Sequence, residues 1–358
     1  MGVISVGHTK DRLQALWRRD VKRRLVAGGL DMAAALASAG MMSNARGRGA
    51  IFTLHHVRPK KHRLLQTSAH LEITPEFLSE AIERLYAEGY EFIRLEDVPA
   101  RLAKPTKQPF AAFTLDDGYR NNAEYALPVF ERHGAPFTVF VARGFAERTH
   151  SLWWETLAEL LGSQPELTFD FGGGTEVMDL TSEARKFDAF DRFSAYVASS
   201  DETIAVSRID SLSRKHGIDP LKITAELTMD PDELKTLAAH PLASLGAHTL
   251  SHRAVARLSE DDAREEMRQS ADYVESLIGR RPLSIAYPYG TKQAVSERDQ
   301  ALAKDIGFTV AVTTQPGTLC EKSASRITGL PRISLNGFYQ QPRYVSALAS
   351  GIPFALMR

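Results

Sequence analysis

The sequence predicts an α/β protein built around a parallel sheet. Short apolar runs of strand length alternate along most of the chain with helical patterns of about 10–15 residues, and this order is typical of β-α-β units. Polar or acidic residues directly follow several of the runs, at the points where parallel strands end. The chain has 358 residues, of which 43% are hydrophobic and 25% charged, as in ordinary soluble proteins.

Bulk composition excludes some kinds of site. Cys320 is the single cysteine, so an intrachain disulfide framework and a cysteine-cluster metal site are both excluded. Any metal bound by the chain must therefore use histidine and carboxylate ligands. The formal net charge is zero, so overall charge gives no reason to expect a nucleic acid or an acidic partner.

The first 49 residues differ from the rest in charge. They hold nine Lys or Arg against three acidic residues, and their pattern predicts a helix. Asp31 interrupts its apolar stretch, which is too polar for a membrane span. Ala37-Ser38-Ala39 resembles a cleavage site, but Asp31 and the long preceding region argue against export. We expect residues 1–49 to form a basic helical extension packed on the main domain, with contact to an anionic membrane surface as the alternative. The expected location is cytoplasmic or peripheral to the inner membrane.

The main domain begins with Ala50–Leu54, the first predicted strand. Thr74 and Pro75 then open a helix, because Thr is a preferred N-cap and Pro a preferred first helical residue. Gly89 ends that helix. Alternating or continuous apolar character predicts the next strands, which are Tyr90–Leu95, Phe110–Phe113 and Pro136–Val141.

The strand and helix order is interrupted between about residues 143 and 240. The pattern there predicts a mostly helical insertion with a hairpin turn at Gly172–Gly174. Beyond it, Ser259 caps a helix. The remaining predicted strands are Ala243–His248, Leu283–Tyr287, Phe308–Thr313 and Leu330–Ile333.

Two adjacent carboxylates, Asp116 and Asp117, follow the strand at Phe110–Phe113, and Gly118 permits a tight turn there. Two carboxylates held together repel each other unless a cation or a proton shares their site. Asp and Gly are also common in solvated turns. This stretch alone is therefore compatible with a functional site and with an ordinary turn.

Histidines follow two other predicted strands. His248 and His252 have the spacing at which two side chains can bind one metal ion, and His55 and His56 follow the first strand. Pro288-Tyr289-Gly290 follows a further strand. Because parallel strands end on one face, we expect all these groups to meet the two aspartates there. Two His and one Asp leave positions open on a catalytic metal, while the second Asp can act as base and a histidine as acid. The set predicts a hydrolase.

Three stretches resemble motifs of the polysaccharide deacetylase family, which is the NodB-homology domain of carbohydrate esterase family 4. They are Phe113–Gly118, His248–His252 followed by Leu258-Ser259, and Tyr287–Gly290. The resemblance covers roughly residues 50–340. It implies a distorted (β/α) barrel of the NodB type over residues 50–358, interrupted by the inserted helical segment.

The resemblance also implies residue roles. Asp116 would be the general base, and Asp117, His248 and His252 would bind a divalent metal, with Zn²⁺ expected and Co²⁺ or Ni²⁺ as alternatives. The backbone N–H of Tyr289, next to Pro288, would stabilise the oxyanion. The reaction would remove N-acetyl groups from amino sugars of a polysaccharide, or of its oligosaccharide or lipid-linked precursor, so an N-acetylated glycan is the expected partner.

The sequence departs from the usual family pattern at two points. The third motif usually carries an Arg that orients the catalytic Asp, and Ala286 stands at that position; Arg332 is a candidate replacement. No histidine follows His252, whereas the usual family acid is a late histidine. One branch, which includes poly-N-acetylglucosamine deacetylases, places this histidine on an N-terminal strand. We expect His55 to be the acid in preference to His56.

Two other functions remain open at this point. The site chemistry does not name the acyl acceptor, so the chain could deacylate another amide or an ester. The missing third-motif Arg is also compatible with a carbohydrate-binding homologue that is catalytically impaired. Metal retained without hydrolysis of any acetylated glycan would favour the second alternative.

Overall fold

The structure is a computed structural model that describes residues 7–61, 65–104 and 107–356, with side chains from residue 20 onward. Within these ranges the strands are β1 (Gly49–Leu54), β2 (His56–Val57), β3 (Glu72–Ile73), β4 (Glu91–Phe92), β5 (Phe110–Leu115), β6 (Phe137–Val141), β7 (Glu166–Asp170), β8 (Thr175–Asp179), β9 (Ala243–Ala247), β10 (Ser284–Ala286), β11 (Val310–Pro316) and β12 (Leu330–Ser334).

The helices of the same described ranges include one long N-terminal helix and several short ones. They are α1 (Gly7–Ser38), α2 (Pro75–Ala87), α3 (Val98–Ala103), α4 (Leu127–His133), α5 (Arg143–Ala146), α6 (Trp153–Ser163), α7 (Glu183–Ser199), α8 (Glu202–Lys215), α9 (Pro220–Leu227), α10 (Pro231–Ala238), α11 (Glu260–Ile278), α12 (Glu297–Ile306), α13 (Pro342–Ala349) and α14 (Ile352–Leu356).

Seven parallel strands close into a barrel. Their order is β1-β12-β11-β10-β9-β6-β5, and β5 pairs back with β1 over six residues. The short strand β4 lies outside this ring and pairs with the start of β5. Because all seven strands run in one direction, the residues that follow them emerge at the same end of the barrel. The (β/α) barrel predicted from the sequence is confirmed.

The barrel strands separate an inner apolar cluster from the apolar clusters outside the ring, since successive side chains face opposite sides of a strand. Phe52 and Phe113 face outward and pack against helix residues such as Leu78. Ile51, Ala112, Phe140 and other residues of alternate register face inward and fill the barrel with side chains. The same alternation directs the residues at positions 55, 116 and 248 toward the barrel axis, because they continue the inward-facing series of β1, β5 and β9.

Gly246 is required by the width of this interior. A Cβ atom at this position on β9 would lie 2.5 Å from the Phe140 ring and 2.7 Å from the Ser284 hydroxyl. The absence of a side chain therefore makes room for the aromatic ring that fills the barrel between β6 and β9.

The described chain divides into two compact units. The larger unit holds the barrel and comprises the described parts of Leu30–Lys60, His70–His150 and Thr224–Arg358. Within it, the last part of α1 packs through Leu30, Ala33 and Ala34, which are buried, and Asp31 accepts a hydrogen bond of 2.7 Å from Arg343.

The smaller unit holds Ser151–Ile223 with the described parts of Met1–Gly29 and Lys61–Ala69. β7 and β8 form an antiparallel hairpin there. Its aromatic core includes Phe169 and Phe193, whose ring centroids are 4.7 Å apart, and Arg208 lies 4.8 Å over the Phe169 ring. The hairpin turn predicted at Gly172–Gly174 connects these two strands.

The structure differs from the sequence predictions at β4, and it leaves one prediction for the N-terminal region untested. The strand predicted at Tyr90–Leu95 is reduced to β4, because β6 occupies the rest of that edge of β5 from Phe113 onward. No helix of the described residues is long and apolar enough to cross a membrane. The alternative of contact with a membrane surface depends in part on Lys10, Arg12, Arg18 and Arg19, whose side chains lie outside the described ones.

Candidate active site

The end of the barrel that collects the carboxyl termini of the strands also collects the predicted site residues. β1 and β5 pair in register up to Leu54 and Leu115, and the next residues are His55 and Asp116. The backbone N–H of Asp116 donates to the carbonyl of Leu54 over 3.0 Å and continues the ladder. This register brings His55 Nε2 to 3.9 Å from Asp116 Oδ2.

Arg332 holds Asp116 from β12, which is separated from β5 by β1 alone. Its side chain is fully buried, and Nη1 and Nη2 donate to Oδ1 and Oδ2 of Asp116 at 2.7 Å each. Nη1 also donates to Thr114 Oγ1, and Nε donates to the Thr313 carbonyl. Two parallel hydrogen bonds between planar groups fix the plane of the carboxylate. The residue that the sequence offered as a replacement for the missing Arg thus contacts Asp116 directly.

Both aspartates are held in the ionised form. Burial alone would raise the pKa of Asp116, but the charge and hydrogen bonds of Arg332 outweigh it and hold the pKa below its ordinary value. Burial also acts to raise the pKa of Asp117, and the imidazoles of His248 and His252 more than reverse this, so that the pKa lies well below the usual range. Asp116 is therefore paired with the Arg332 cation, and Asp117 is paired with the imidazoles of His248 and His252.

Asp117, His248 and His252 form a buried three-ligand cluster. One ligand atom from each lies within 4.8 Å of the other two. The Nε2 atoms of His248 and His252 are 3.4 and 3.2 Å from Asp117 Oδ1. No described residue gives this buried oxygen a hydrogen bond of acceptable geometry.

The ring orientation of His248 suits metal binding. Its Nδ1 lies 2.7 Å from the carbonyl oxygen of Ala286, which can only accept, so Nδ1 carries the proton. In the neutral form of the ring, which a metal requires, Nε2 has its lone pair directed toward Asp117 and His252. A metal-binding histidine commonly donates its other ring N–H in this way. Ala286, which stands where the family motif usually has Arg, thus contributes its backbone carbonyl to the site.

Glu266 on α11 organises the loop between the two histidines. It is buried, and its carboxylate accepts hydrogen bonds from the backbone N–H groups of Leu250 and Ser251, at 3.0 and 2.8 Å. It also accepts from the Ser251 hydroxyl and from Arg253. Four contacts on one carboxylate fix a turn that has no strand or helix to support it.

Left-handed backbone conformations are concentrated at this site. Among the described non-glycine residues with positive φ are Asp117 (71°), Thr249 (62°), His252 (59°) and Tyr289 (58°). Such residues cost free energy and persist only where their surroundings hold them, which is characteristic of functional sites. All four belong to the three motifs that follow β5, β9 and β10.

The donor set fits a divalent metal such as Zn²⁺. Two neutral imidazole nitrogens and one carboxylate oxygen converge, and Asp117 Oδ1 is buried without a hydrogen bond from the described residues. Three protein ligands of this kind leave a coordination position for water or substrate. The geometry therefore supports Asp117, His248 and His252, as predicted, as the residues that could hold a metal.

His55 and His56 have different surroundings. Burial lowers the pKa of His55, against the opposing effect of Asp116 and Asp117. His56 is fully buried, its ring lies 3.6 Å from that of Tyr119, and Asn121 Nδ2 is 2.8 Å from its Nδ1. Because Asn121 Oδ1 accepts from the backbone N–H of Val57, its amide must donate to His56. His56 therefore packs into the wall of the site, and His55 is the histidine that reaches Asp116.

Pro288 and Tyr289 follow β10 on the metal side of the site. The Tyr289 ring lies 5.2 Å from the His252 ring in an edge-on arrangement. The Tyr289 carbonyl accepts a hydrogen bond of 2.6 Å from Thr314 Oγ1, which holds this turn against β11. Pro288 is buried and Tyr289 is partly exposed.

The chain matches the family model described as "Polysaccharide deacetylase" over residues 103–185 and 198–311, which is more than half of its length. This chain belongs to the polysaccharide deacetylase family. A search of curated protein sequences found no match. The family match supports a hydrolase that deacetylates a polysaccharide.

Solved structures similar to this polysaccharide deacetylase fold include the deacetylase PplD of Streptococcus pyogenes, determined in complex with acetate. It is 17% identical, with a TM-score of 0.52 over 81% of this chain and 92% of that one. IcaB of Ammonifex degensii is 14% identical, with a TM-score of 0.52 over 85% of this chain and 98% of that one. At these identities the likeness shows the shared fold.

Several supporting residues of the site were not predicted from the sequence. They are Thr114, Asn121, Asn122, Glu266 and Ser270. One of them carried a usable signal, because Glu266 lies on the apolar stripe of α11 between Ala263 and Met267, where a carboxylate is unexpected unless it has partners. The others contact backbone groups far away in sequence and leave no periodic pattern.

Proposed function

We propose that this chain is a metal-dependent hydrolase that removes N-acetyl groups from amino sugars of a polysaccharide or of its oligosaccharide or lipid-linked precursor. One observation carries the proposal: a carboxylate held in a bidentate ion pair, Asp116, lies next to a buried set of metal ligands at the open end of the barrel. The two adjacent aspartates thereby have separate surroundings and separate roles.

Asp117, His248 and His252 would hold the metal, with Zn²⁺ first and Co²⁺ or Ni²⁺ as alternatives, because imidazole ligands suit these ions. When bound, such an ion supplies Lewis acidity toward a carbonyl oxygen and lowers the pKa of water. The chain's own contribution is the fixed orientation of the ligands. Ala286 sets the His248 ring, and Glu266 sets the loop that carries His252.

Asp116 is proposed as the general base. Arg332 keeps it ionised and fixes its plane, so an oxygen of the carboxylate is available to accept a proton from an attacking water. Arg332 acts through Asp116 and is a positioning residue. Its own N–H groups are directed to Asp116, Thr114 and Thr313, and these contacts leave it no direct role toward the substrate.

His55 is proposed as the acid that protonates the leaving amine. It lies within 3.9 Å of Asp116, on the inward-facing side of the end of β1. A pKa below the ordinary value makes the protonated imidazole a stronger acid, which suits donation to an amine. The backbone N–H of Tyr289, next to Pro288, is the proposed donor to the oxyanion. His56 is proposed to support this wall through Tyr119 and Asn121.

Acetate release from N-acetylated glucosamine oligosaccharides tests the function directly. We expect release by the wild-type chain and a loss of about 10²–10⁴-fold in kcat for Asp116→Asn, since removal of a general base typically has that effect. Asp116→Asn should still bind metal, because Asp117 and both histidines remain. Equal rates for Asp116→Asn and wild type would contradict the base assignment. O-acetylated sugars in a parallel assay distinguish an esterase from an amidase.

A side-by-side comparison of His55→Ala and His56→Ala tests the acid. We expect His55→Ala to lose about 10²-fold or more in kcat at unchanged metal content. His56→Ala should mainly lower the free energy of unfolding, because it empties a buried position next to Tyr119. Urea unfolding of both variants measures that effect. Full activity of His55→Ala would show that the acid lies elsewhere.

A further inference from the structure

A cavity lies near the end of the barrel opposite the candidate active site. It has a volume of about 400 Å³ and is lined by residues of the α1 carboxyl end and the turn after it, of α2 and of α13. Arg46 precedes β1 and Tyr90 directly precedes β4, so the cavity adjoins the amino ends of the strands. The proposed metal ligands, Asp116 and His55 follow the carboxyl ends of the strands. This cavity is therefore separate from the proposed catalytic centre.

The positive charge that lines the cavity exceeds the negative charge. Its lining includes the guanidinium groups of Arg46 and Arg84 and a single carboxylate, that of Glu88. The Glu88 carboxylate pairs with Arg84 Nε at 2.9 Å. No described residue accepts a hydrogen bond from the Arg46 guanidinium, which is half-buried. The cavity therefore presents a net positive charge without an internal counterion for Arg46.

The contacts of the Arg84 guanidinium with Glu88 and Ser346 involve its Nε atom. Its Nε also donates to the Ser346 hydroxyl over 2.6 Å, and this contact holds the side chain against α13. Within the described part of the chain, neither terminal nitrogen of Arg84 has an acceptor. Two arginines thus offer unused N–H pairs to one cavity, and such pairs match the oxygens of a carboxylate or a phosphate.

Hydrogen bonds and close packing fix the residues that line the cavity around these arginines. Tyr90 is buried, and its hydroxyl donates to the Ala349 carbonyl over 2.9 Å. Gly351 lies so close to Ala45 that a Cβ atom would meet the Ala45 carbonyl oxygen at 1.9 Å. The segment that carries Arg46 is therefore tied to the chain beyond α13. A volume near 400 Å³ falls within the range of pockets that bind small molecules.

We propose that this cavity binds a small molecule that carries an oxyanion, either a carboxylate or a phosphate monoester, through Arg46 and Arg84. The polar walls of Ser38, Ser43 and Ser350 suit a hydroxylated body such as a sugar. The proposal concerns a site outside the catalytic centre and does not depend on the proposed deacetylation.

Calorimetric titration of the full chain tests the proposal with four probes: inorganic phosphate, glucose 6-phosphate, glucuronate and neutral glucose. We expect saturable binding of glucose 6-phosphate or glucuronate, and the one that binds identifies the oxyanion. Glucose should not bind. Failure of all three anionic probes to bind, or equal binding of glucose, would overturn the proposal.

Four variants locate the binding. Arg46→Ala and Arg84→Ala should each weaken it by at least about tenfold, because each removes charge-assisted hydrogen bonds. Glu88→Gln should strengthen it, since the competing carboxylate is removed. Arg132→Ala, on the exposed face of α4, is the matched control and should change nothing. Binding that survives Arg46→Ala unchanged would place the anion elsewhere, for example at the metal site, and would refute the assignment.

Discussion

Arg332 is a fully buried cation whose guanidinium lies 5.9 Å from the centroid of the Phe140 ring, and Asp116 neutralises it. Removing one member of such a buried pair costs about 3–5 kcal/mol, because the other charge is left without a partner. The pair therefore contributes little net free energy of folding, but removal of either member strongly destabilises the protein. Its geometry matters more for function, since the plane of the carboxylate depends on both hydrogen bonds.

The substitution Arg332→Lys separates charge from geometry at this position. Lysine keeps the positive charge but cannot form two parallel hydrogen bonds with a carboxylate. We expect kcat to fall about 10–100-fold, with metal content and far-ultraviolet circular dichroism unchanged. The measurement is acetate release at saturating substrate together with metal analysis.

The control for this prediction is the same substitution in an Asp116→Asn background. If Arg332 acts through Asp116, adding Arg332→Lys to a chain without the base should cost little further activity, since coupled residues do not add. Independent losses from the two substitutions would show that Arg332 acts on something other than Asp116.

At this scale the sequence predicted the identities of the residues better than their contacts. Asp116, Asp117, His248 and His252 followed predicted strands, and that placement was enough to group them. The pairing of Arg332 with Asp116 joins residues 216 positions apart. It depends on the closure of β12 onto β1 and of β1 onto β5, and no local pattern in the sequence specifies that closure. His55 and His56 are adjacent, so only the hydrogen bonds around Asn121 distinguish them.

The helix α11 connects barrel packing to the candidate metal site. Its buried face carries Ala263, Met267 and Val274 into the core, and Glu266 and Ser270 lie on the same face. Ser270 Oγ accepts a hydrogen bond from the backbone N–H of His248. The helix thereby holds the start of the loop that carries the two histidines through Ser270, and the middle of that loop through Glu266.

Glu266→Gln tests this support. An amide has one acceptor oxygen, whereas the carboxylate accepts from Leu250, Ser251 and Arg253 together. We expect the affinity for Zn²⁺ to fall about 10–100-fold, as is typical when a group that orients metal ligands is altered. Competition with a chromogenic chelator measures the Kd.

The matched control is Glu265→Gln, on the neighbouring residue. Glu265 is about half exposed and pairs with Arg268 on the surface of α11, so its loss should leave metal affinity unchanged. If the two variants weaken Zn²⁺ binding equally, the effect comes from charge in general and the loop has another support.

The starts of helices and the positions of strands could be predicted where a local sequence pattern determines them. The N-caps predicted at Thr74 and Ser259 are confirmed because caps are local. The strand at Tyr90–Leu95 was predicted too long, because its length is set by competition with β6 for one edge of β5. The pairing of β2 with β3 joins two-residue strands, which are too short to show a period.

The closed barrel places three independent motifs at one end of the whole molecule. Seven parallel strands bring the turns after β5, β9 and β10 together, while the interior below them is filled by side chains such as Phe140. The three candidate metal ligands therefore lie directly above the apolar side chains that fill the barrel. A cation bound there would link the turns that follow β5 and β9, and it would neutralise a carboxylate buried at Asp117.

Metal removal should therefore change both activity and stability of the whole chain. We expect dialysis against a chelator to abolish acetate release and to lower Tm, and Zn²⁺, Co²⁺ or Ni²⁺ to restore both. A ligand that binds only the folded state stabilises it by about 2.7 kcal/mol at a free concentration 100 times its Kd. Mg²⁺ should restore little, because it prefers oxygen ligands.

Asp117→Asn should lose the metal-dependent rise in Tm, whereas Asp232→Asn, at an exposed carboxylate, should keep it. A Tm that does not respond to these ions, measured by calorimetry on the wild-type chain, would contradict the proposed metal site.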